Sequence, residues 1–467
     1  MRTLNFVVPV SLFLLACGAE TPPPKDDVKP VVSAKAINVA DAAPVLDKTA
    51  DLQALAKDAY VWGYPLVYFE RTKRTMTNLA HVPTDIFQHQ SKLASPATAE
   101  AWANNDVLVS SAWVELKDEP VVLKLPDTGS RWYVLEFVDM WGNPFTHLGK
   151  KTSGNKGGSF VITGPGQTAT LTKGQTEIKA PTSSIWILAR TQVDGEADVV
   201  KLIGTLKSMT LTPASGKAPA MPPAPEARPQ DIRFSDAGFF DELGEMMKLY
   251  PPPASDDAMV NKLAAAGIGP GLTPSKTLGE KEVLALKDGQ KAGESSLDEA
   301  VEKLPLRKNG WNLDRKFGDW GSDAQKRGAY AKIGFAQGSS DPDELFAPTT
   351  NTDDGGQILT GAHEYVLHFE KGKTPPVEGF WTLTLYSSKG GGLVDNAKKR
   401  WSVGNRTGLK PNADGTLDIH LSVDAPKTGD SNWLPAPKGD AFLLTLRMYQ
   451  PKVEAVTYEL PAVKKIK

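Results

Sequence analysis

Cysteine is almost missing from this chain: there is one in 467 residues, at position 17. A single thiol excludes an intrachain disulfide and any zinc site built on cysteine. An excess of charge of one sign is missing too. Lys and Arg number 53 against 55 Asp and Glu, and no long basic run occurs, so the chain lacks the field that nucleic-acid binding requires. The apolar run from Phe6 to Leu15 is too short to span a bilayer, which takes about 20 residues. Histidines are few and scattered. His363 and His368 are one residue too far apart for H-E-x-x-H, and on a strand they would point to opposite faces. No G-x-S-x-G, P-loop or dinucleotide fingerprint occurs, and no metal or cofactor is expected.

Several short strings imitate catalytic motifs without their context. Asp127-Thr-Gly-Ser130 has no second copy with which to share a proton and sits where a turn is wanted. Ser153-Gly-Asn-Lys156 and Lys427-Thr-Gly429 lie in glycine-rich or Pro/Asp/Gly loops, not at the start of a helix. Asn412-Ala-Asp-Gly415 is a hairpin turn, since Lys410 and Leu421 occupy the first and last ligand positions of a calcium loop.

Proline (36) and glycine (41) are abundant, and the 40% hydrophobic and 23% charged content is that of a globular protein. The length implies two to four domains. Gly18 to Leu46 has no apolar periodicity and reads as an extended tether. Leu52, Leu55, Ala56, Ala59, Gly63 and Leu66 recur at helical spacing, and Pro65 is expected to kink or end that helix near Gly63. Its aromatics, Tyr60, Trp62, Tyr64, Tyr68 and Phe69, read as core.

Residues 104–149 then alternate with period two. Leu108, Ser110, Ala112, Val114 and Leu116 share a face of one strand, Val121 to Leu125 form a second, and Tyr133, Leu135, Phe137 and Asp139 share a face of a third. Further strands are expected at Gly157–Gly166, Thr176–Ala180 and Ser184–Gln192, with a closing helix at Asp198–Met209. A Pro/Ala-rich stretch, 212–229, marks a boundary, and helical patterns follow from Asp236, including Pro274–Ala285 and Ser296–Leu304. Strands return at His363–Phe369, Phe380–Ser387, Thr416–Val423, Asp440–Tyr449 and Ala455–Leu460. The fold class is therefore mainly β with a helical insert. An antiparallel N-terminal β-sandwich with a leading helix covers 49–211, a boundary and helical region 212–335, and an antiparallel jelly-roll β-sandwich 336–467.

The N-terminus carries an address. Leu14-Leu-Ala-Cys17 resembles the bacterial lipobox, which implies removal of a signal peptide, 1–16, and lipid attachment at Cys17 ahead of the tether, 17–48. Gly18, where inner-membrane retention is associated with aspartate, implies the outer membrane, facing the periplasm. The membrane, reached through that lipid, is one expected partner.

Two blocks resemble the paired domains of unknown function 1254 and 1214 of bacterial exported proteins. The first is Ala59-Tyr-Val-Trp-Gly-Tyr-Pro65, Asn104-Asn-Asp106, Ser110-Ser-Ala-Trp113, Arg131, Asp139, Asn143 and Gly164-Pro-Gly166. The second is Phe380-Trp-Thr-Leu-Thr-Leu-Tyr386, Asn405-Arg406, Asp414-Gly-Thr416, Asn432-Trp-Leu-Pro-Ala-Pro437 and Arg447-Met-Tyr449. The resemblance implies the same three-part architecture. The chain departs from it at Val107 and Val109, where members usually carry Thr and Tyr after Asn-Asp.

One constellation of polar residues stands out. Thr382, Thr384 and Tyr386, then Asp418, His420 and Ser422, then Thr445, Arg447 and Tyr449 each share a strand face opposite an apolar one. If the strands adjoin, the face suits a sugar or an organic acid. Two functions follow. The first is an envelope lipoprotein binding a polar small molecule or glycan between two sandwiches, through Asn105, Asp106, Arg131, Asp139, Tyr386, His420, Arg447 and Tyr449. The second is a hydrolase or lyase with Asp106 or Asp139 as general base and Arg131 or Arg406 at an oxyanion. No nucleophile–base pair is visible in the sequence, which favours the first.

Overall fold

The computed structural model describes residues 49–218, 221, 237–304, 307–313, 318, 320–333, 341–427 and 429–467. The expected signal peptide, Cys17 and tether lie outside these residues, as do 219–220 and 222–229 of the boundary, Asp236 at the expected start of the helical patterns, and Thr428 of the Lys427-Thr-Gly429 string.

Helix α1 (Thr49–Arg74) leads into strands β1 (Gln88–His89), β2 (Val107–Glu115), β3 (Val121–Leu125), β4 (Tyr133–Asp139), β5 (Pro144–Gly149), β6 (Gly158–Thr163), β7 (Gln175–Lys179) and β8 (Ser184–Gln192). Helix α2 (Val199–Leu206) and strand β9 (Thr210–Pro213) complete this half. The strands form a five-stranded sheet, β1-β2-β8-β4-β5, and a four-stranded sheet, β7-β6-β3-β9. Alternation puts Leu108, Ala112 and Val114 of β2, Leu135 and Phe137 of β4 and Ile185 and Ile187 of β8 into one core with Leu123 and Ile162 of the other sheet. The Pro126–Gly129 turn therefore joins strands of different sheets. It has the chemistry expected of it: Gly129 stands at φ 67°, and its N–H donates to Asp127 Oδ1 at 2.7 Å.

The middle of the chain is a helical layer of α3 (Gly238–Leu249), α4 (Asp257–Ala264), α5 (Pro274–Thr277), α6 (Glu280–Lys303) and α7 (Ala324–Lys332). It packs with α1 onto the outer face of the five-stranded sheet, where Trp113, Val138, Trp186 and Leu188 meet Trp62, Phe69 and Phe239. Two glycines set the approach of α6 to α1. A Cβ on Gly289 would lie 2.5 Å from Gln53 O, and one on Gly293 would lie 2.9 Å from Tyr60 Cβ. The α1 aromatics are core, as the periodicity implied. Pro65, however, neither ends the helix nor breaks it, because neighbouring helices enclose the segment and override the missing N–H. Likewise Pro274–Ala285 and Ser296–Leu304 belong to a short α5 and one long α6.

The C-terminal half begins with β10 (Arg307–Lys308) and β11 (Trp311–Asn312), ahead of α7. It continues as β12 (Leu345–Phe346), β13 (Thr349–Thr350), β14 (Tyr365–Phe369), β15 (Trp381–Ser387), β16 (Ser402–Gly404), β17 (Leu417–Ser422), β18 (Trp433–Pro435), β19 (Phe442–Tyr449) and β20 (Val463–Lys465). One sheet has seven strands, β10-β11-β13-β19-β15-β16 with β12 also on β19, and the other is β18-β17-β14-β20. Their shared core takes Trp381, Leu383, Leu385, Leu444 and Leu446 from the first and Tyr365, Leu367, Ile419 and Leu421 from the second. Two details differ from the sequence reading. The pairs β6–β7 and β17–β18 are parallel, so the modules are not wholly antiparallel. The expected strand at Ala455–Leu460 is a helical turn at Val453–Val456, and the edge strand is β20. The architecture is mostly β, with four sheets and a helical middle region.

Candidate functional site

Strands β15 and β19 lie side by side, with Thr382 opposite Arg447 and Thr384 opposite Thr445. Residues facing each other across an antiparallel pair project to the same side. Leu383, Leu385, Leu444 and Leu446 enter the core, and Thr382, Thr384, Tyr386, Thr445, Arg447 and Tyr449 form the other face. That face is not bathed in solvent; all six residues are buried.

What covers it is the segment 102–106 of the first domain, just before β2. Asp106 Oδ2 accepts from Thr382 Oγ1 at 2.6 Å and from the Tyr449 hydroxyl at 3.0 Å, and Asn104 Nδ2 donates to Tyr449 at 2.8 Å. The Tyr386 hydroxyl donates to Ala103 O at 2.8 Å. Arg447 donates to Thr384 Oγ1 (3.2 Å), Tyr386 Oη (2.9 Å) and Trp102 O (3.2 Å), all neutral acceptors. Burial opposes the Arg447 charge, but Tyr386, Tyr449 and Asp106 outweigh it and hold its pKa above the usual arginine value. Burial, followed by Asp106, pushes the Tyr449 phenol well up, so it stays a donor.

The first domain sets a second charged pair into the same junction. β8 reads Ser-Ile-Trp-Ile-Leu-Ala-Arg-Thr-Gln, with Trp186, Leu188 and Arg190 on its outer face. Arg190, 3% exposed, lies 3.6 Å from Glu136 of β4, 1% exposed. Burial lowers the Arg190 pKa; Glu136 opposes that, and Arg447 reinforces it. The two guanidiniums therefore lie within electrostatic reach of each other across the domain junction.

Beside them Glu344 is fully buried, with Oε2 accepting from Trp132 Nε1 at 3.0 Å and Oε1 lacking a hydrogen-bond partner among the described residues. Burial raises its pKa from 4.5 to about 7, against the Trp132 bond. A raised carboxyl favours the folded state most when protonated in both states, so this contribution falls as pH rises from about 4.5 through about 7 and is flat above. Glu344→Gln is expected to stabilise the protein at pH 8 by on the order of 2 kcal/mol and to change little at pH 4, as read from urea midpoints. Equal effects at both pH values would contradict this.

The remaining expected site residues scatter. Asp139 accepts from the backbone of Trp141 (2.9 Å) and Asn143 (2.8 Å) and from Asn143 Nδ2 (3.0 Å), which makes it a turn cap; burial raises its pKa to about 6. It pairs with Ile185 of β8, level with Val114, so eight strand positions, roughly 25 Å at 3.3 Å each, separate it from Asp106. Asp106 and Asp139 therefore do not share a cleft. Arg131 makes a bidentate pair with Asp198, both contacts at 2.5 Å. Arg406 donates to Val193 O (2.8 Å) and Asp194 (2.5 Å) and lies 4.2 Å over the Phe380 ring, pinning the two domains together. His420 stands on β17 of the other sheet, whose polar face points away from that of β15 and β19. Asn105 Oδ1, next to Asp106, is buried without a hydrogen-bond partner among the described residues. Sequence reasoning passed over Arg190, Glu136, Glu344, Trp102 and Trp401. Arg190 had a signal, being the one charged residue in a strand whose run from Ile185 to Ala189 is wholly apolar. The others depend on long-range contacts.

A protein of two β-sandwich-like halves, joined by a helical layer and locked through a polar junction, is what the geometry defines. Family models match each half: Protein of unknown function (DUF1254) over 84–213 and Protein of unknown function (DUF1214) over 344–453. The chain belongs with proteins carrying these two domains in N-to-C order. It is similar in structure to the VPA0106 protein from Vibrio parahaemolyticus, with a TM-score of 0.69 and 22% identity over 89% of this chain and 100% of that one. It also matches a putative uncharacterized protein from Burkholderia cenocepacia, with a TM-score of 0.43 and 12% identity over 88% of each chain. No curated protein matches it.

Proposed function

We propose that this protein is a bacterial envelope lipoprotein, anchored through Cys17 in the outer membrane and facing the periplasm, that binds a polar small molecule or glycan between its two β-domains. The observation that carries the binding reading is Thr445. Its residue is 3% exposed, its side chain faces the first domain beside Arg447, and its hydroxyl has no hydrogen-bond partner among the described residues. A buried hydroxyl left unpaired costs about 1–3 kcal/mol, and a ligand that pairs it recovers that cost. The alternative, a periplasmic hydrolase or lyase, has less support. The Asp106 oxygen that would take a proton already accepts from two hydroxyls, and Arg131 and Arg406 are committed to Asp198 and Asp194.

The test is a thermal-shift screen of the detergent-solubilised full chain against sugars, organic acids and amino acids, run in parallel on Thr445→Val. A compound that raises the midpoint by about 3 °C or more in the parent and not in the variant is the expected result. No shift with any class, or equal shifts in both proteins, would overturn the binding reading. The anchor is tested separately: Cys17→Ala is expected to remain unprocessed, and a normally processed variant would overturn that part.

A further inference from the structure

Resting on the binding reading above, we infer that the ligand is a neutral carbohydrate, seated where Trp102 and Trp401 flank Tyr386 at the edge of the interdomain junction. The register of the seven-stranded sheet aligns a row of polar residues. Asn312 faces Thr349, Thr349 faces Thr445, Thr445 faces Thr384 and Thr384 faces Ser402. Hydroxyls thus run across four neighbouring strands on the side that carries Arg447. Asn312 Nδ2 donates to Thr349 and Arg447 to Thr384, while Thr445 in the middle of the row is left over.

Two indoles border the row. Trp102 and Trp401, both half-buried, pack against the patch made by Tyr386, Leu393 and Leu443, and the Trp102 ring lies 5.6 Å from that of Tyr386. Trp401 Nε1 is buried and has no acceptor among the described residues. Trp102 is held by both domains: it stands at φ 60°, and its N–H donates to Gly391 O at 2.8 Å. A Cβ on Gly391 would lie 3.1 Å from the Trp102 ring nitrogen, so that indole is fixed in place before any ligand arrives.

Among the unmet atoms of the described residues, those invoked at this edge are a donor, Trp401 Nε1, and a hydroxyl, Thr445 Oγ1, that both donates and accepts. A sugar answers both with its own hydroxyls and lays its C–H face on an aromatic ring. A carboxylate group could accept from both atoms but has no C–H face to lay on the ring. It would also meet the Asp106 carboxylate, which already balances Arg447. Charge and the aromatic border therefore both favour a neutral ligand.

The experiment is a glycan array of neutral and carboxylated glycans probed with the detergent-solubilised full chain, followed by calorimetric titration of the hits and of citrate and gluconate. Thr445→Val, Thr445→Ser and Trp401→Phe are titrated alongside. The expected result is binding of neutral glycans, weakened about tenfold in Trp401→Phe and in Thr445→Val, each of which lacks one hydrogen bond, and retained in Thr445→Ser. Thr445→Val and Trp401→Phe are independent, so one folded variant suffices. Binding of acids alone, sensitive to Thr445→Val, would overturn the carbohydrate assignment and leave the interdomain site standing. Neutral glycans bound equally by every variant would overturn this placement. No binding of either class would overturn both.

Discussion

Glu136→Ala is expected to destabilise the protein by about 3–5 kcal/mol, seen as a lower urea midpoint with an unchanged slope. Glu136 is the carboxylate set against Arg190 across β4 and β8, and both residues are almost fully buried. Its Oε1 also accepts from the backbone N–H of Asp341, tying the first domain to the approach to β12. Removing the carboxylate leaves a guanidinium in a low-dielectric layer, where Arg447 already repels it and Glu100 offers only a weaker attraction. Glu136→Gln keeps the acceptor for Asp341 and loses only the charge, so it should cost about half as much. The control that separates charge from shape is the double variant Glu136→Leu/Arg190→Met. A buried ion pair replaced by apolar side chains of similar volume is often neutral or better, so the double variant should recover most of the loss. A single variant costing less than about 1 kcal/mol, or a double variant no better than the single, would show that the pair does not carry this part of the junction.

The sequence made the strands readable and left the junction hidden, for one physical reason. Alternation reports which side of a strand is apolar; it placed β2, β4, β8, β15 and β19, and the apolar faces it gave to β2, β4, β15 and β19 enter the cores. It does not report what covers the polar side. The face of Thr382, Tyr386, Arg447 and Tyr449 reads as solvated or ligand-facing, and in the structure much of it pairs with Trp102, Ala103, Asn104 and Asp106 of the other domain. His420 shares the pattern but not the sheet, because strand adjacency is decided by topology and not by alternation. The Asn-Asn-Asp segment was legible as chemistry-bearing, and its role is to dock. The replacement of two hydroxyl-bearing residues by Val107 and Val109 also finds a local account. Both valines pack toward Trp132, Val134, Leu345, Phe380 and Tyr449, where an apolar surface continues the domain contact. Pro65 shows the converse limit, since a local breaker yields when the surrounding helices enclose its segment.

Asp106→Ala should loosen the two domains from one another as well as destabilise the chain, by about 2–4 kcal/mol. The carboxylate is 7% exposed and takes two hydroxyl donors from the second domain on one oxygen. Alanine leaves both Thr382 Oγ1 and Tyr449 Oη without that acceptor and removes a negative charge near Arg447, whose own hydrogen bonds all run to neutral atoms. Tyr449 keeps its bond from Asn104, so the loss should be largest on the Thr382 side. A double-mutant cycle of Asp106→Asn with Tyr449→Phe isolates the cross-domain bond, with an expected coupling of about 1–2 kcal/mol because the acceptor is charged and the donor buried. Limited proteolysis gives an independent readout: cleavage in the described loop around Ala101–Asn105, slow in the parent, should accelerate in Asp106→Ala as that segment lifts from β15 and β19. Unchanged cleavage together with a coupling below about 0.3 kcal/mol would mean that the domains are held together by Arg406 and the apolar contact around Phe380, and that the Asp106 contacts merely fill the junction.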